Sequence, residues 1–94
     1  MGTERGRPAV SELTSMMNIG KEMARKLTFV GIDSSEKLLE AGAKEAYFRM
    51  KQIYPQICLV HLYALEGAIQ CTEFNRLTVE KKKELKEFSD TVKW

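Results

Sequence analysis

The chain of 94 residues has little of what most enzymes and membrane proteins depend on. It contains one histidine and one tryptophan, and its formal net charge is only +2. A single imidazole leaves little acid–base chemistry, and no glycine-rich phosphate loop or paired-cysteine metal motif is present. The longest apolar stretch, residues 57–71, is shorter than the roughly 20 residues of a membrane span. We therefore expect no enzyme, no cofactor, no small-molecule substrate and no membrane insertion.

The chain also has only two cysteines, which indicate a reducing compartment. Cys58 and Cys71 are thirteen positions apart on one helical segment, too far for a disulfide. The first ten residues lack the apolar run of a signal peptide. We expect both thiols to be reduced and buried as small hydrophobes, and the protein to be cytoplasmic. His61 is three residues from Cys58, but two ligands do not complete a metal site, so packing is the favoured role for both.

Length and periodicity predict an all-α protein with one compact domain of five to six helices. Residues 1–10 contain Gly2, Gly6 and Pro8 and have little to bury, which predicts a disordered N-terminal arm. Residues 11–94 are enough for one hydrophobic core and too few for two. Apolar side chains recur at three- and four-residue steps, and no segment shows sustained strand alternation. We expect the most apolar helix, about residues 57–71, to lie at the centre.

Caps and breakers set the predicted helix ends. Gly31 ends the second helix, Gly42 the third and Pro55 the fourth. The third helix begins at a capping box in which Asp33 takes the cap position and Ser34 competes for it. Thr78 is the predicted cap of the sixth helix. The six segments cover about residues 11–17, 20–30, 34–41, 43–54, 57–71 and 79–92.

The candidate functional feature is a tight turn that leads directly into the second helix. The first four amides of a helix lack internal partners and lie at the positive end of its dipole, so they can bind a phosphate oxygen. The low net charge means that any nucleic-acid contact is local and modest. The alternative is that Gly20 only allows two short helices to turn sharply. The predicted nucleic-acid-binding residues are Asn18, Ile19, Gly20, Lys21, Arg25 and Lys26.

Other polar and aromatic residues fit structural roles. Glu66 is expected at a narrow polar edge of the central helix, where it shares a hydrogen bond with Gln70. The lysines at positions 81–83 alternate with acidic residues and indicate a solvated face. The three tyrosines fall on core-facing stripes, so base stacking is not their expected use.

The sequence resembles the C-terminal domain of the TfoX/Sxy family of competence regulators from about Leu13 to Leu85. The octet from Leu62 to Ile69 is its most specific part. The other matching pieces are Asn18-Ile19-Gly20, residues 27–32, Leu38 with residues 41–43, Tyr47, Pro55 and Cys58-Leu59. The family domain is similar to helix-hairpin-helix and SAM-like folds, whose glycine turn holds the DNA backbone through main-chain amides. Gly20 and Ala24 match that turn, and Asn18 stands where another glycine is usual.

The resemblance implies a non-enzymatic module that takes part in the regulation of competence, the uptake and transformation of DNA. Such a module assists transcription through a partner protein such as a transcription regulator, with weak and sequence-independent contact to the DNA backbone. The alternative is a protein–protein interaction adaptor that binds no nucleic acid, which the low net charge favours. Regulators of this family usually carry an N-terminal domain that these 94 residues do not contain, so a changed task on the same fold is also open.

Overall fold

The computed structural model describes residues 13–92, and every regular element in that range is helical. The all-α class is confirmed, although four α-helices are slightly fewer than the predicted five to six. These are α1 (Lys21–Phe29), α2 (Ser35–Ile53), α3 (Leu59–Gln70) and α4 (Val79–Thr91), with a short 3₁₀ helix at Phe74–Arg76 between the last two. The predicted arm, residues 1–10, and the start of the predicted first helix lie outside the described residues. Of that first helix, only residues 13 and 14 are seen as helical.

The predicted third and fourth helices together form α2. Gly42 has φ 86° and ψ 161°, which interrupts the helical backbone at the predicted position. The Ser34 hydroxyl caps α2 by accepting a hydrogen bond from the Lys37 amide at 3.1 Å. The prediction that Asp33 takes the cap position was wrong, because its carboxylate instead pairs with the Lys37 ammonium at 3.0 Å. Ser34 is one residue nearer the helix, where its oxygen reaches the first turn.

Two other helix ends follow the predicted chemistry. Gly31 has φ 93°, and its amide donates to the carbonyl of Thr28 at 3.1 Å. The amide of Ile32 donates to the carbonyl of Leu27 at 2.9 Å, which completes a Schellman motif. At α4, the Thr78 hydroxyl accepts from the first turn, as predicted.

The hydrophobic core is built around α3, which packs against α2, the 3₁₀ helix and α4. Leu62 and Leu65 of α3 are fully buried, as is Leu85 of α4. Tyr47 of α2 is also buried, and its hydroxyl lies 2.9 Å from the Ser89 hydroxyl of α4. The central position predicted for α3 is therefore confirmed. Among residues 13–92, no helix combines the length and hydrophobicity that crossing a bilayer requires.

At the edge of this core, Glu66 behaves as predicted. Its side chain accepts a hydrogen bond from Gln70 and lies 4.0 Å from the Lys81 ammonium. An ion pair of 2.6 Å between Lys44 and Glu84 joins α2 to α4. Lys44 and Lys81 together lower the pKa of the Glu84 carboxyl.

The prediction that the two thiols are buried was wrong. Cys58 and Cys71 are both free and exposed. Cys58 is the N-cap of α3, and Cys71 follows its last turn in the left-handed conformation with φ 58°. Both cysteines thus lie at the ends of the central helix, outside the part that its neighbours cover.

Asn18 ties the turn before α1 to the far end of α3. It has φ 72°, and its Nδ2 donates to the carbonyl oxygens of Thr72 at 2.9 Å and Ala64 at 3.5 Å. Its Oδ1 accepts from the Phe74 amide at 3.4 Å. A Cβ at Gly67 would collide with Asn18 Nδ2 and would lie 2.7 Å from the Thr72 carbonyl oxygen. Gly67 therefore leaves the space in which the Asn18 side chain binds.

Replacing Gly67 with alanine should lower the free energy of unfolding by about 1–3 kcal/mol, since the added methyl group overfills a packed contact. Urea denaturation of the wild type and the variant measures this loss. In the Asn18→Gly background, Gly67→Ala should cost less, because one of the two clashing groups is gone and only the Thr72 carbonyl remains. Equal costs in both backgrounds would show that Asn18 and Gly67 are not coupled.

Candidate nucleic-acid interface at the start of α1

α1 begins without a side-chain cap. Gly20 is its N-cap residue, and within residues 13–92 no side chain accepts a hydrogen bond from its first turn. The first helical hydrogen bond runs from the Ala24 amide to the Gly20 carbonyl at 2.9 Å. The amides between these two residues have no partner within the helix. Gly20 and Lys21 are both exposed, and they lie at the positive end of the helix dipole.

The backbone at Gly20 does not require a glycine. Its φ of −93° and ψ of −179° are extended values that any residue adopts. A Cβ built there has no atom within 4 Å. The left-handed residue of this corner is Asn18, two positions earlier. The structure therefore does not support the alternative explanation that Gly20 serves only to turn the chain.

The six predicted residues do not all face the same way. Ile19 is 5% exposed, and its amide donates to the Met16 carbonyl at 3.3 Å. The side chain of Asn18 is directed into the molecule, where its amide group is hydrogen-bonded. It therefore does not crowd the space in front of the helix. What the corner presents to a ligand is the main chain of Gly20 and Lys21.

The three basic residues differ in how free their charges are. Lys21 is exposed and forms no ion pair within residues 13–92. Arg25 lies 3.2 Å from the Glu22 carboxylate. Lys26 lies 4.0 Å from Glu22 and holds its ammonium 5.4 Å from the centre of the Tyr54 ring. The start of α1 is thus a donor-rich corner, and the positive charge of Lys21 there is not paired by any acidic side chain of residues 13–92.

Comparison with known proteins identifies the domain. The family model for the TfoX C-terminal domain matches residues 9–89. The chain belongs to the TfoX C-terminal domain family. The resemblance that the sequence indicated is therefore confirmed.

Two solved structures are similar to this chain. A triclinic crystal form of an uncharacterized protein from Listeria monocytogenes is 38% identical, with a TM-score of 0.82, over 84% of this chain and 90% of that one. A tetragonal form of a Listeria monocytogenes protein of unknown function is also 38% identical. Its TM-score is 0.80, and the match covers 89% of this chain and 99% of that one. No protein in the curated set matches the chain.

Two sequence pieces typical of the TfoX C-terminal domain contact each other in the structure. Asn18 opens the tripeptide before α1, and Gly67 lies inside the octet of α3. The space at Gly67 holds the Asn18 amide, as described above. The remaining residues of the octet supply core side chains such as Leu62 and Leu65. In this chain the two pieces therefore form a packing contact that sets the position of the α1 start.

Cys58 and His61, the pair considered for metal binding, begin α3. The His61 Nδ1 accepts a hydrogen bond from the Cys58 amide at 3.0 Å, so the imidazole acts as a helix cap. Cys71 is at the opposite end of the same helix. Within residues 13–92 no three histidine, cysteine or acidic side chains lie close enough to share a metal ion. The three-residue spacing that suggested shared ligands is also the spacing of a capping box, which the sequence analysis missed.

The partly buried imidazole of His61 is expected to make the stability of this domain sensitive to pH. Burial lowers the pKa of His61 from its ordinary value of 6.5, and the positive charges of Lys26 and Lys51 lower it further. Its Nδ1 can accept from the Cys58 amide only while that nitrogen is unprotonated. The neutral imidazole therefore belongs to the folded state, and the unfolded chain takes up a proton at higher pH.

We expect the full contribution of His61 above about pH 6.5 and its progressive loss as the pH falls below that value. Denaturant titrations between about pH 7.5 and pH 5.5 measure this dependence, before most carboxylates titrate. In His61→Gln the side-chain oxygen still accepts from the Cys58 amide but does not titrate, so its stability should change less over this range. An identical pH dependence in both proteins would contradict the proposed origin.

Proposed function

We propose that this TfoX C-terminal domain is a non-enzymatic regulatory module that assists transcription of DNA-uptake genes by docking a partner protein. We further propose that it makes weak, sequence-independent contact with the DNA backbone at the start of α1. Membership of the competence-regulator family supports the first part. The uncapped and exposed first turn of α1 is the observation that carries the second.

The geometry suits a phosphate group because it combines donors with a compatible charge. Main-chain amides can hold a phosphate oxygen without any side chain, and the helix dipole favours an anion there. Lys21 adds one free positive charge next to these amides. Since neither a Cβ nor a side chain occupies the space in front of Gly20, a phosphate can approach the backbone closely.

The same geometry limits the strength of the contact. Glu22 is in the first turn and its side chain is 78% exposed, so its negative charge opposes an incoming phosphate. The Glu22 carboxylate partly neutralises the positive charge of Arg25. With few phosphates neutralised, few counterions are released, and affinity depends on low salt. Contacts of this kind also carry no base-sequence information.

A protein-interaction adaptor without nucleic-acid binding is the second candidate function. The exposed apolar side chains of Phe29 and Ile53, on the opposite end of α1 and on α2, favour a protein partner over DNA alone. Binding to duplex DNA separates the two candidates, because only the first predicts saturable binding at low salt.

The double variant Lys21→Ala/Arg25→Ala should lower affinity for duplex DNA about tenfold at low salt and flatten the salt dependence, because two positive charges next to the amides are removed. Fluorescence anisotropy of a labelled duplex at about 20 and about 150 mM salt measures both quantities. Arg76→Ala/Lys83→Ala is the matched control, since it also removes one arginine near a glutamate and one lysine. Equal losses in both doubles would rule out this site, and no saturable binding by the wild type would favour the adaptor.

Gly20→Asp should change stability and DNA affinity in opposite directions. The aspartate supplies the side-chain cap that Gly20 lacks, so the free energy of unfolding should rise by about 0.3 kcal/mol. Its carboxylate occupies the amides and repels phosphate, so duplex binding should be lost. Gly20→Ser provides a cap without a charge and should retain more binding. If Gly20→Asp binds DNA as the wild type does, the amides of α1 are not the contact.

A further inference from the structure

Large apolar side chains are exposed where the C-terminal ends of α1 and α2 meet the start of α3. Phe29 is 69% exposed and Ile53 is 49% exposed. Tyr54 lies between them in the surface, and Lys26 and Lys51 are in the last turns of α1 and α2. We call these five residues the basic apolar end. Exposed aromatic and aliphatic groups beside cations are typical of a protein docking surface.

Ring and cation contacts join Phe29, Tyr54 and Lys26. Ile53 and Lys51 lie in the last turn of α2, directly before Tyr54. The rings of Phe29 and Tyr54 are 6.2 Å apart in an edge-on arrangement, and the Lys26 ammonium lies over the Tyr54 ring. A Cβ built at Gly31 would lie 3.9 Å from the Arg49 guanidinium. Ile53 is one helical turn after Arg49, so its stripe of α2 runs past the end of α1.

The two segments of the chain that contribute to this end have more basic than acidic residues. Residues 21–31 contain three basic residues and one acidic residue, and residues 49–62 contain two basic residues and no acidic one. Together these segments have a formal charge of +4, whereas the whole chain has +2. Part of this charge is paired, because Arg49 lies 2.8 Å from Glu45 and Lys26 lies 4.0 Å from Glu22. The Lys51 ammonium donates to the main-chain carbonyls of Pro55 and Ile57 rather than to a carboxylate. Its positive charge is therefore not neutralised.

We propose that the basic apolar end docks an acidic segment of the partner protein, one that carries large apolar side chains among aspartate and glutamate residues. Phe29 and Ile53 receive the apolar side chains, and Lys26 and Lys51 attract the carboxylates. This inference rests on the proposed function, because it gives the chemistry of the partner that the function requires. Complementary charge speeds the encounter, and the buried aromatic contact supplies most of the affinity.

The exposed groups favour a protein over a nucleic acid at this end. Ile53 is aliphatic and cannot stack on a base, and one edge of Phe29 already faces Tyr54. A duplex presents phosphates, which gain nothing from covering a side chain that is 69% exposed and apolar. The surface is also separate from the start of α1, since the nine residues of that helix span about 13 Å. The two contacts can therefore be tested independently.

The test is selection from a displayed library of random peptides, long enough for about four helical turns, against the full chain. Selected peptides should be enriched in acidic and large apolar residues. Their binding, measured by fluorescence anisotropy, should fall about tenfold in Phe29→Ser/Ile53→Ser. Leu39→Ser/Val79→Ser is the matched control, because it removes two exposed apolar side chains elsewhere and should leave binding unchanged. Unchanged thermal midpoints in both doubles show that folding is retained.

Three results would overturn the inference. One is enrichment of basic or uncharged peptides, and another is equal binding by the wild type and Phe29→Ser/Ile53→Ser. The third is a labelled single-stranded oligonucleotide that binds in a Phe29-dependent way while no acidic peptide does. Lys21→Ala/Arg25→Ala separates this inference from the DNA contact. That variant should bind duplex DNA about tenfold more weakly and retain peptide binding, so failure of one proposal leaves the other measurable.

Discussion

The hydrogen bonds of Asn18 to the end of α3 are the constraint on which the rest of the structure depends. They fix the turn before α1 to the most buried helix, and they require a residue without a side chain at Gly67. Because the asparagine side chain points inward, the solvent side of the corner is left to the main chain of Gly20 and Lys21. The same contact therefore stabilises the fold and exposes the amides.

α1 presents different chemistry at its two ends. Its start has uncapped amides and the free charge of Lys21, which suit a phosphate group. Its last turn holds Lys26 over Tyr54, with Phe29 exposed beside them. A helix of nine residues is long enough to keep these two surfaces apart and short enough for one partner complex to include both. That arrangement suits a module that connects a protein to nearby DNA without itself selecting a base sequence.

Much of the fold could be predicted from the sequence where a local signal sets the structure. Glycines at positions 31 and 42 interrupt helices, and Thr78 caps one, because each effect depends on a single residue and its neighbours. The prediction that Asp33 rather than Ser34 caps α2 was wrong because both residue types can cap a helix. A difference of one position decides which side-chain oxygen reaches the Lys37 amide. The predicted burial of Cys58 and Cys71 was wrong because it relied on the general preference of free cysteine for interiors, although the predicted helix at residues 57–71 already placed both at its ends.

The candidate site was predictable only in part, for a related reason. Spacing placed Lys21 and Arg25 on one exposed face, but it did not show that Glu22 shares the charge of Arg25. The role of Asn18 depends on a contact with residues about fifty positions later, which local patterns do not contain. The basic apolar end was missed because residues 21–31 and 49–62 contact each other only after the chain folds.

The positive charges of the basic apolar end destabilise the fold little, because the helix ends compensate for them. Lys26 and Lys51 lie in the last turns of α1 and α2, where the negative ends of the helix dipoles and unpaired carbonyl oxygens favour cations. Carbonyl oxygens carry no net charge, so Lys51, which donates to those of Pro55 and Ile57, is stabilised while its positive charge remains available to a partner. The cap of α3 follows the same logic, since neutral His61 satisfies the Cys58 amide without bringing a carboxylate there. An aspartate at the start of α3 would cap the helix as well, but it would also neutralise part of the charge on which an acidic partner depends.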